Sequence, residues 1–207
     1  MTNRTHRRRE RTRDALIAAA QRILVEQGTS NVPIQTITDA ADVGAGTFYN
    51  YFTTKEELFD AAVSAAIEAH RHWLDEAVSD VTGPVEIFAT SFRLTARLAA
   101  TSPAVATLFV NSGFDRLTSD QGLAPRALND LQRMIDDGVL TAHNPHLALA
   151  ATAGCLFAYM KLRTQDPPAV TDEDADQLVE DLLVMLGLDR DAARRAAHMP
   201  LPAGPPQ

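Results

Sequence analysis

The stretch Ala40-Ala41-Asp42-Val43-Gly44-Ala45-Gly46-Thr47-Phe48-Tyr49-Asn50-Tyr51-Phe52 decides how the chain is read. One helical pattern ends at Ala41, breaks over Asp42-Val43-Gly44, and resumes as a second short helix carrying Tyr49, Asn50 and Tyr51. Two short helices across a tight turn are the arrangement that lets the second helix enter a DNA major groove. Asp42 falls where the chain must turn sharply, and Asp tolerates the left-handed conformation better than most residues. Val43 then plugs between the helices, while Gly44 and Gly46 permit tight approach.

Upstream, Ala15, Leu16, Ala19, Ala20, Ile23 and Leu24 form one helical stripe over Thr12 to Gln27, with Gly28 as its stop. Pro33 suits the first turn of a helix over Ile34 to Ala41, because its missing N–H has no partner there anyway. Downstream, Thr54-Lys55-Glu56-Glu57 reads as a capping box ahead of Leu58 and Phe59. A long helix then runs to about Asp80, with Leu58, Ala62, Ala65 or Ala66, Ala69, Trp73 and Val78 along its buried side. At about 1.5 Å per residue such a helix reaches roughly 39 Å, enough to connect two bodies.

Charge divides the chain in the same place. The formal net charge is −8, yet residues 1–55 carry eight Lys and Arg against five Asp and Glu. The remainder holds eleven basic and twenty-two acidic residues. A basic head on an acidic body predicts a small anion-binding module, phosphate being the obvious anion. Residues 1–10 lack periodicity and read as a basic flexible arm, in which Arg4, Arg7, Arg8 and Arg9, with Arg11 and Arg13 just beyond, could follow a phosphate backbone.

Gly28, Ile37, Ala40-Ala41, Val43, Gly46-Thr47-Phe48-Tyr49, Tyr51-Phe52 and Lys55-Glu56-Glu57-Leu58 together resemble the DNA-binding domain of the tetracycline-repressor (TetR) family over residues 11–70, with the helix-turn-helix at about 33–52. Asp42 replaces the customary turn glycine, Gly44 stands where serine often caps, Ala45 where a basic residue is common, and Pro33 where threonine is frequent. The resemblance implies that Gly44 to Phe52 is the recognition helix. Its candidate DNA contacts are Ala45, Gly46, Thr47, Tyr49, Asn50 and Tyr51, joined by Gln35, Lys55, Arg9 and Arg11. Asn pairs bidentately with adenine and Thr meets a thymine methyl, whereas tyrosines position the backbone. Phe48 and Phe52 read as core.

The acidic remainder, residues 71–190, reads as all helix, which makes the fold class all-α. Helices are expected over Val85–Ala100, Ala104–Val110, Leu123–Asp137, Pro145–Thr164 and Thr171–Leu186, with residues 191–207 as a disordered tail. The helix from His146 to Thr164 is apolar on nearly every face and needs cover on all sides. A two-fold mate would supply it, and the family resemblance implies the same homodimer. Leu149, Ala153, Leu156, Leu178, Leu182 and Met185 are its candidate interface. The resemblance also implies an enclosed site for a small apolar effector, with Phe88, Phe92, Phe109, Phe114, Met134, Phe157 and Met160 as candidate lining. Arg93, Arg97 and Arg116 read as exposed charge or, alternatively, as partners for an acidic head group, and the acidic run Asp172–Asp176 as a solvated helix start.

Catalysis finds no support. His70 and His72 point to different faces of a helix, and His143 and His146 lack a Cys, Asp or Glu at ligand spacing. Cys155, the single cysteine, has no electropositive neighbour in sequence and cannot form an intrachain disulfide, which fits a reducing cytoplasm. The apolar run from Leu147 to Met160 is shorter than the roughly 20 residues of a membrane span. Asp14 and Gln21 interrupt any signal-type pattern. The reading is a ligand-released repressor of a palindromic DNA operator, without cofactor or metal. The alternatives are an architectural DNA binder and a helical enzyme or carrier.

Overall fold

Capping signals in the sequence mark where the helices begin and end. The computed structural model describes residues 2–27, 30–113 and 122–202, and every regular element among them is helical. In chain order these are α1 Thr2–Gln27, α2 Ile34–Ala40, α3 Ala45–Phe48, α4 Lys55–Ala77 and α5 Pro84–Thr101. They are followed by α6 Pro103–Gly113, α7 Ala124–Asp136, α8 Pro145–Gln165, α9 Asp172–Met185 and α10 Arg190–Ala197. None of the described helices is long and apolar enough to cross a membrane. Two compact units divide between Ala66 and Ile67, inside α4.

The first unit is built on one apolar cluster. Leu16, Ile17, Ala20 and Ile23 of α1 meet Val32, Ile37, Phe48, Phe52, Leu58, Phe59 and Ala62, all buried. At its seams, Gln21 donates to the Ala62 carbonyl at 2.9 Å and Arg22 to the Ala40 carbonyl at 2.5 Å. The second bond satisfies a carbonyl left over at the end of α2.

The larger unit packs α5 and α7–α10 around Phe88, Phe92, Leu131, Met134, Leu149, Val179, Leu182 and Leu183. The starts of α8, α9 and α10 are capped by side chains. Asn144 accepts from the N–H groups of His146 and Leu147, and Thr171 and Asp174 form a reciprocal box. The end of α9 is closed by Gly187 at φ +96°, where a β-carbon would strike Thr141. Thr141 and Ala142 in turn donate to the Leu186 carbonyl, tying the loop before α8 to the end of α9.

Four expectations are corrected. The arginine-rich start is helical from Thr2, because it holds no Gly or Pro and arginine is a good helix former. The tail expected over 191–207 instead opens with α10, whose Ala193, Ala196 and Ala197 are buried in the main core. Asp189 starts that helix by accepting from Ala192 N–H at 3.0 Å, and alanines at i, i+3 and i+4 do the packing with little hydropathy signal. Residues 203–207 of that tail lie outside the described residues, as do Gly28, Phe114 and Arg116. On α4 the buried line beyond Ala66 runs through Ile67, His70, Leu74 and Val78, leaving Ala69 exposed and Trp73 half-buried.

The expected exposed charge at Arg93 is the fourth correction. Arg93 is only 4% exposed. Its guanidinium forks onto both carboxylate oxygens of Asp176 at 2.8 and 3.0 Å and donates to the Met199 carbonyl at 2.7 Å. Arg97 adds contacts to Asp176 at 2.9 and 3.1 Å. Burial alone would raise the Asp176 carboxyl, but the hydrogen bonds from Arg93 and Arg97 outweigh it and hold the group below its ordinary value. The acidic run thus starts a helix with its first residues, while Asp176 faces inward. Replacing Asp176 with Ala strands a buried guanidinium and should cost about 3 kcal/mol, read as a lower denaturant midpoint. Asp176→Leu paired with Arg93→Met should recover most of that loss; a single variant as stable as the parent would show that the pair contributes nothing.

Candidate nucleic-acid interface and effector region

The turn after α2 is closed as the sequence requires. Asp42 takes φ +54°, the left-handed conformation, and is the non-glycine residue with positive φ among those described. Asp42 N–H donates to Asp39 O at 3.2 Å and Val43 N–H to Thr38 O at 3.0 Å, the paired bonds of a Schellman stop with Asp42 in the place glycine usually holds. Val43 packs against the apolar cluster.

Gly44 precedes α3 with no side-chain cap, and α3 itself is a single turn, Ala45–Phe48. The chain continues through tight turns, with Asn50 N–H on Thr47 O at 3.1 Å and Tyr51 N–H on Phe48 O at 2.9 Å. The helix expected to reach Phe52 is therefore shorter, because nothing caps it and glycine sits inside it. Phe48 and Phe52 are buried side by side, their ring centroids 6.1 Å apart. That anchoring turns the intervening residues outward: Tyr49 is 64% exposed and Asn50 exposed, with Thr47 half-buried. Ala45, Gly46 and Gln35 are exposed, and Gln35 holds Asp39 at 2.6 Å.

Two arginines of α1 lean on the same segment. The Arg9 guanidinium lies 5.9 Å over the Tyr51 ring and that of Arg13 lies 5.4 Å over Phe52. His6, Arg9, Glu10, Arg13 and Tyr51 line a groove of about 310 Å³. Arg11 is exposed. Lys55 opens α4, its ammonium 3.3 Å from the Asn31 amide oxygen. Thr54 accepts from Glu57 N–H at 3.1 Å, and the Glu57 carboxylate returns to Thr53 N–H at 2.7 Å, one residue earlier than a strict capping box. Arg13 was expected along a phosphate backbone but not against Phe52, and Arg22 was not expected at the seam with α2. Their i+4 and i+13 places from Arg9 on α1 are the signal that could have found them.

In the larger unit the candidate effector residues separate. Phe88, Phe92 and Met134 lie within the main core cluster, whereas Phe109, Phe157 and Met160 are buried outside it. Beside Phe109 stands a residue the sequence did not single out as a ligand contact. His70 is 8% exposed, stacked on Trp73 at 5.5 Å and edge-on to Phe109 at 5.4 Å, with Nε2 3.0 Å from Thr95 Oγ1. Further along α4, Arg71 bridges Glu68 and Asp75 at 2.6 and 2.7 Å, and Asp75 also meets Arg126 of α7. Burial pushes the nearby Asp130 carboxyl up, against the pull of Arg126 and Arg133. The surroundings of α4 are thus more polar than the stripes alone indicate.

The candidate dimer residues separate as well. Leu149 and Leu182 belong to the protomer's own core, and Ala153, Leu156 and Leu178 pack against it. Met185 is 59% exposed. Because α8 is apolar all round, its sequence did not say which face turns inward.

Known proteins share both parts of this geometry. A profile of bacterial regulatory proteins of the tetR family matches residues 16–62, and one of the tetracyclin repressor-like C-terminal domain matches 83–199. The chain belongs to the TetR family. That family is one of regulators, not enzymes. The TetR-type regulator TcmR of Streptomyces glaucescens is 36% identical over 63 residues, 30% of this chain and 28% of that protein. TtgR of Pseudomonas putida is 32% identical over 72 residues, 35% of this chain and 34% of that one. The chain therefore spans about a third or less of these relatives. Among solved structures, RolR in complex with resorcinol has 32% identity and a TM-score of 0.76, over 95% of this chain and 98% of that one. FadR from Bacillus subtilis in complex with stearoyl-CoA, at 16% identity over 82% of this chain and 96% of that one and a TM-score of 0.65, shares the fold.

Burial pushes the His70 imidazole from its usual 6.5 down to about 4, so it is neutral at physiological pH. Between those values the unfolded chain binds the proton and the folded one does not. Stability is therefore complete above about pH 6.5 and falls as pH drops toward about 4, by about 3 kcal/mol in all. His70→Phe should flatten this part of the pH–stability curve measured by denaturant unfolding; an unchanged slope would remove His70 as its source.

Proposed function

We propose that this TetR-family chain is a DNA-binding transcriptional repressor that acts as a homodimer on a palindromic operator and is released by a small effector. The observation that carries the DNA reading is the burial of Phe48 and Phe52 on either side of exposed Tyr49 and Asn50. Rigid apolar anchors hold polar donors outward on a segment that follows a tight helical turn, which is what groove insertion needs. Thr47 and Asn50 are the base readers. Tyr49, Lys55, Arg9 and Arg11 bind phosphate and set the register, and Tyr51 braces Arg9 for it. Ala45 and Gly46, lacking bulk, let the backbone approach, and Gln35 joins from the start of α2.

A palindrome requires two heads about 34 Å apart, hence a two-fold dimer. Support for the dimer comes from the outward face of α8 and the end of α9. Leu147 is 69% and Leu162 51% exposed on α8, at the same angular position as Ala151, Gly154 and Ala158, and Met185 projects from α9. Small residues between two exposed leucines permit close helix approach. The interface is therefore this face together with Met185 and the rim at Leu178, in place of Leu149, Ala153, Leu156 and Leu182.

The effector is a small aromatic molecule held in the larger unit beside Phe109, Phe157 and Met160. RolR, similar over nearly its full length, carries resorcinol in its complex, which supports that size class. Release requires the effector to favour the DNA-free state by several kcal/mol.

A footprint on the gene's own upstream region should reveal a palindrome. Tyr49→Ala should weaken binding there about tenfold while leaving the salt dependence and the dimer intact, because the neutral phenol displaces no counterion. Protection without sequence preference would favour an architectural role instead. Leu147→Glu with Leu162→Glu should give monomers in light scattering and weak operator binding; a dimer that persists would move the interface elsewhere.

A further inference from the structure

One face of α1 is turned toward the segment that follows α3. His6, Arg9, Glu10 and Arg13 recur at i, i+3, i+4 and i+7, so they share that face, and with Tyr51 they line the groove of about 310 Å³. Both arginines are held by their flat sides, Arg9 at 5.9 Å over the Tyr51 ring and Arg13 at 5.4 Å over the Phe52 ring. Phe52 is buried, so the ring beneath Arg13 is itself fixed by the core. Stacking takes up the face of a guanidinium and leaves its in-plane N–H groups for an anion.

Glu10 is the odd member of the set. It brings a carboxylate into a groove whose other walls are two guanidiniums, an imidazole and a phenol. A Glu and an Arg three residues apart on a helix commonly pair, yet Glu10 does not pair with Arg13. Its Oε1 instead meets His6 Nδ1 at 3.0 Å, one turn back along α1. The arginines thus keep their edges clear, while the carboxylate stays in the groove as an exposed negative charge.

We propose that this groove seats one backbone phosphate of bound duplex DNA against the Arg9 and Arg13 guanidinium edges, and that Glu10 limits how strongly the duplex is held. This rests on reading the head as DNA-binding and adds to it a residue that acts against binding. Two guanidiniums attract the phosphate and the carboxylate repels it, cancelling one of the counterion releases that the arginines bring. Operator and non-operator duplexes feel the restraint alike, because a phosphate contact carries no sequence information.

The full chain is titrated with two duplexes of equal length, one from the gene's own upstream region and one of random sequence, over about 50 to 200 mM salt. Glu10→Gln removes the charge and keeps an exposed, helix-favouring side chain. It should tighten both duplexes about threefold to fivefold, the scale of one exposed like charge, and steepen the slope of log K against log salt by about 0.9. Arg9→Gln with Arg13→Gln should weaken both duplexes and flatten the slope by at least about 0.9. In that background Glu10→Gln should lose most of its gain, since no phosphate is then seated beside it. A Glu10→Gln variant that binds no tighter, or gains as much without the two arginines, would overturn the proposal while binding by the parent keeps the DNA reading standing. Displacement of the random duplex by millimolar inorganic phosphate at constant ionic strength would give the groove to a free anion and overturn it as well. A parent that binds neither duplex overturns the DNA reading and the proposal together.

Discussion

The head of this protein depends on one left-handed residue. Asp42 at φ +54° closes α2, turns the chain, and delivers Val43 to the core and α3 to the surface. Glycine would take this conformation at less steric cost, so the strain at Asp42 must be offset by the paired Schellman bonds and by Val43 packing. From there Phe48 and Phe52 fix the rotation of the segment. Buried rings on two sides leave Tyr49 and Asn50 no direction but outward. The exposure of the candidate DNA contacts is thus a consequence of packing behind them.

The positive charge beside α3 comes from the first helix and not from the uncapped start of α3 itself. Arg9 and Arg13 stack over Tyr51 and Phe52, so the first helix presses its charge onto the reading segment. Cation–ring stacking holds long side chains at small entropic cost and leaves the guanidinium edges free for phosphate. Lys55 stands at the start of α4, where helix N–H groups and the dipole favour the same anion.

The larger unit has more polarity inside than its composition advertises. Arg93 is held by Asp176 and by the carbonyl of Met199, so the chain beyond α10 closes over a buried cation. Such a pair adds less net energy than apolar packing of the same volume would, but it fixes a single arrangement, since any other leaves a charge unpaired. His70 follows the opposite logic: it is buried without a charged partner, stays neutral, and offers a lone pair in an aromatic corner.

Sequence alone determined a good deal. Periodicity gave the order and type of α2 to α9 to within a few residues, and the turn at Asp42, the Thr54 cap and the burial of Phe48 and Phe52 follow from local chemistry. The Gly-Thr-Phe-Tyr-x-Tyr-Phe stretch also carried the family, because each position in it answers a constraint within one turn of itself. Tertiary structure decided what periodicity cannot encode. Whether Arg93 faces water or Asp176, 83 positions further along the chain, depends on a partner that no local pattern names. Alanine-rich α10 packs by shape and not by hydropathy, so it reads as tail until its neighbours are present. An all-apolar helix such as α8 hides its inward face, which is why Leu149 went to the core and Leu147 and Leu162 to the surface. Local spacing fixes a helix; only the surfaces brought against it fix which side matters.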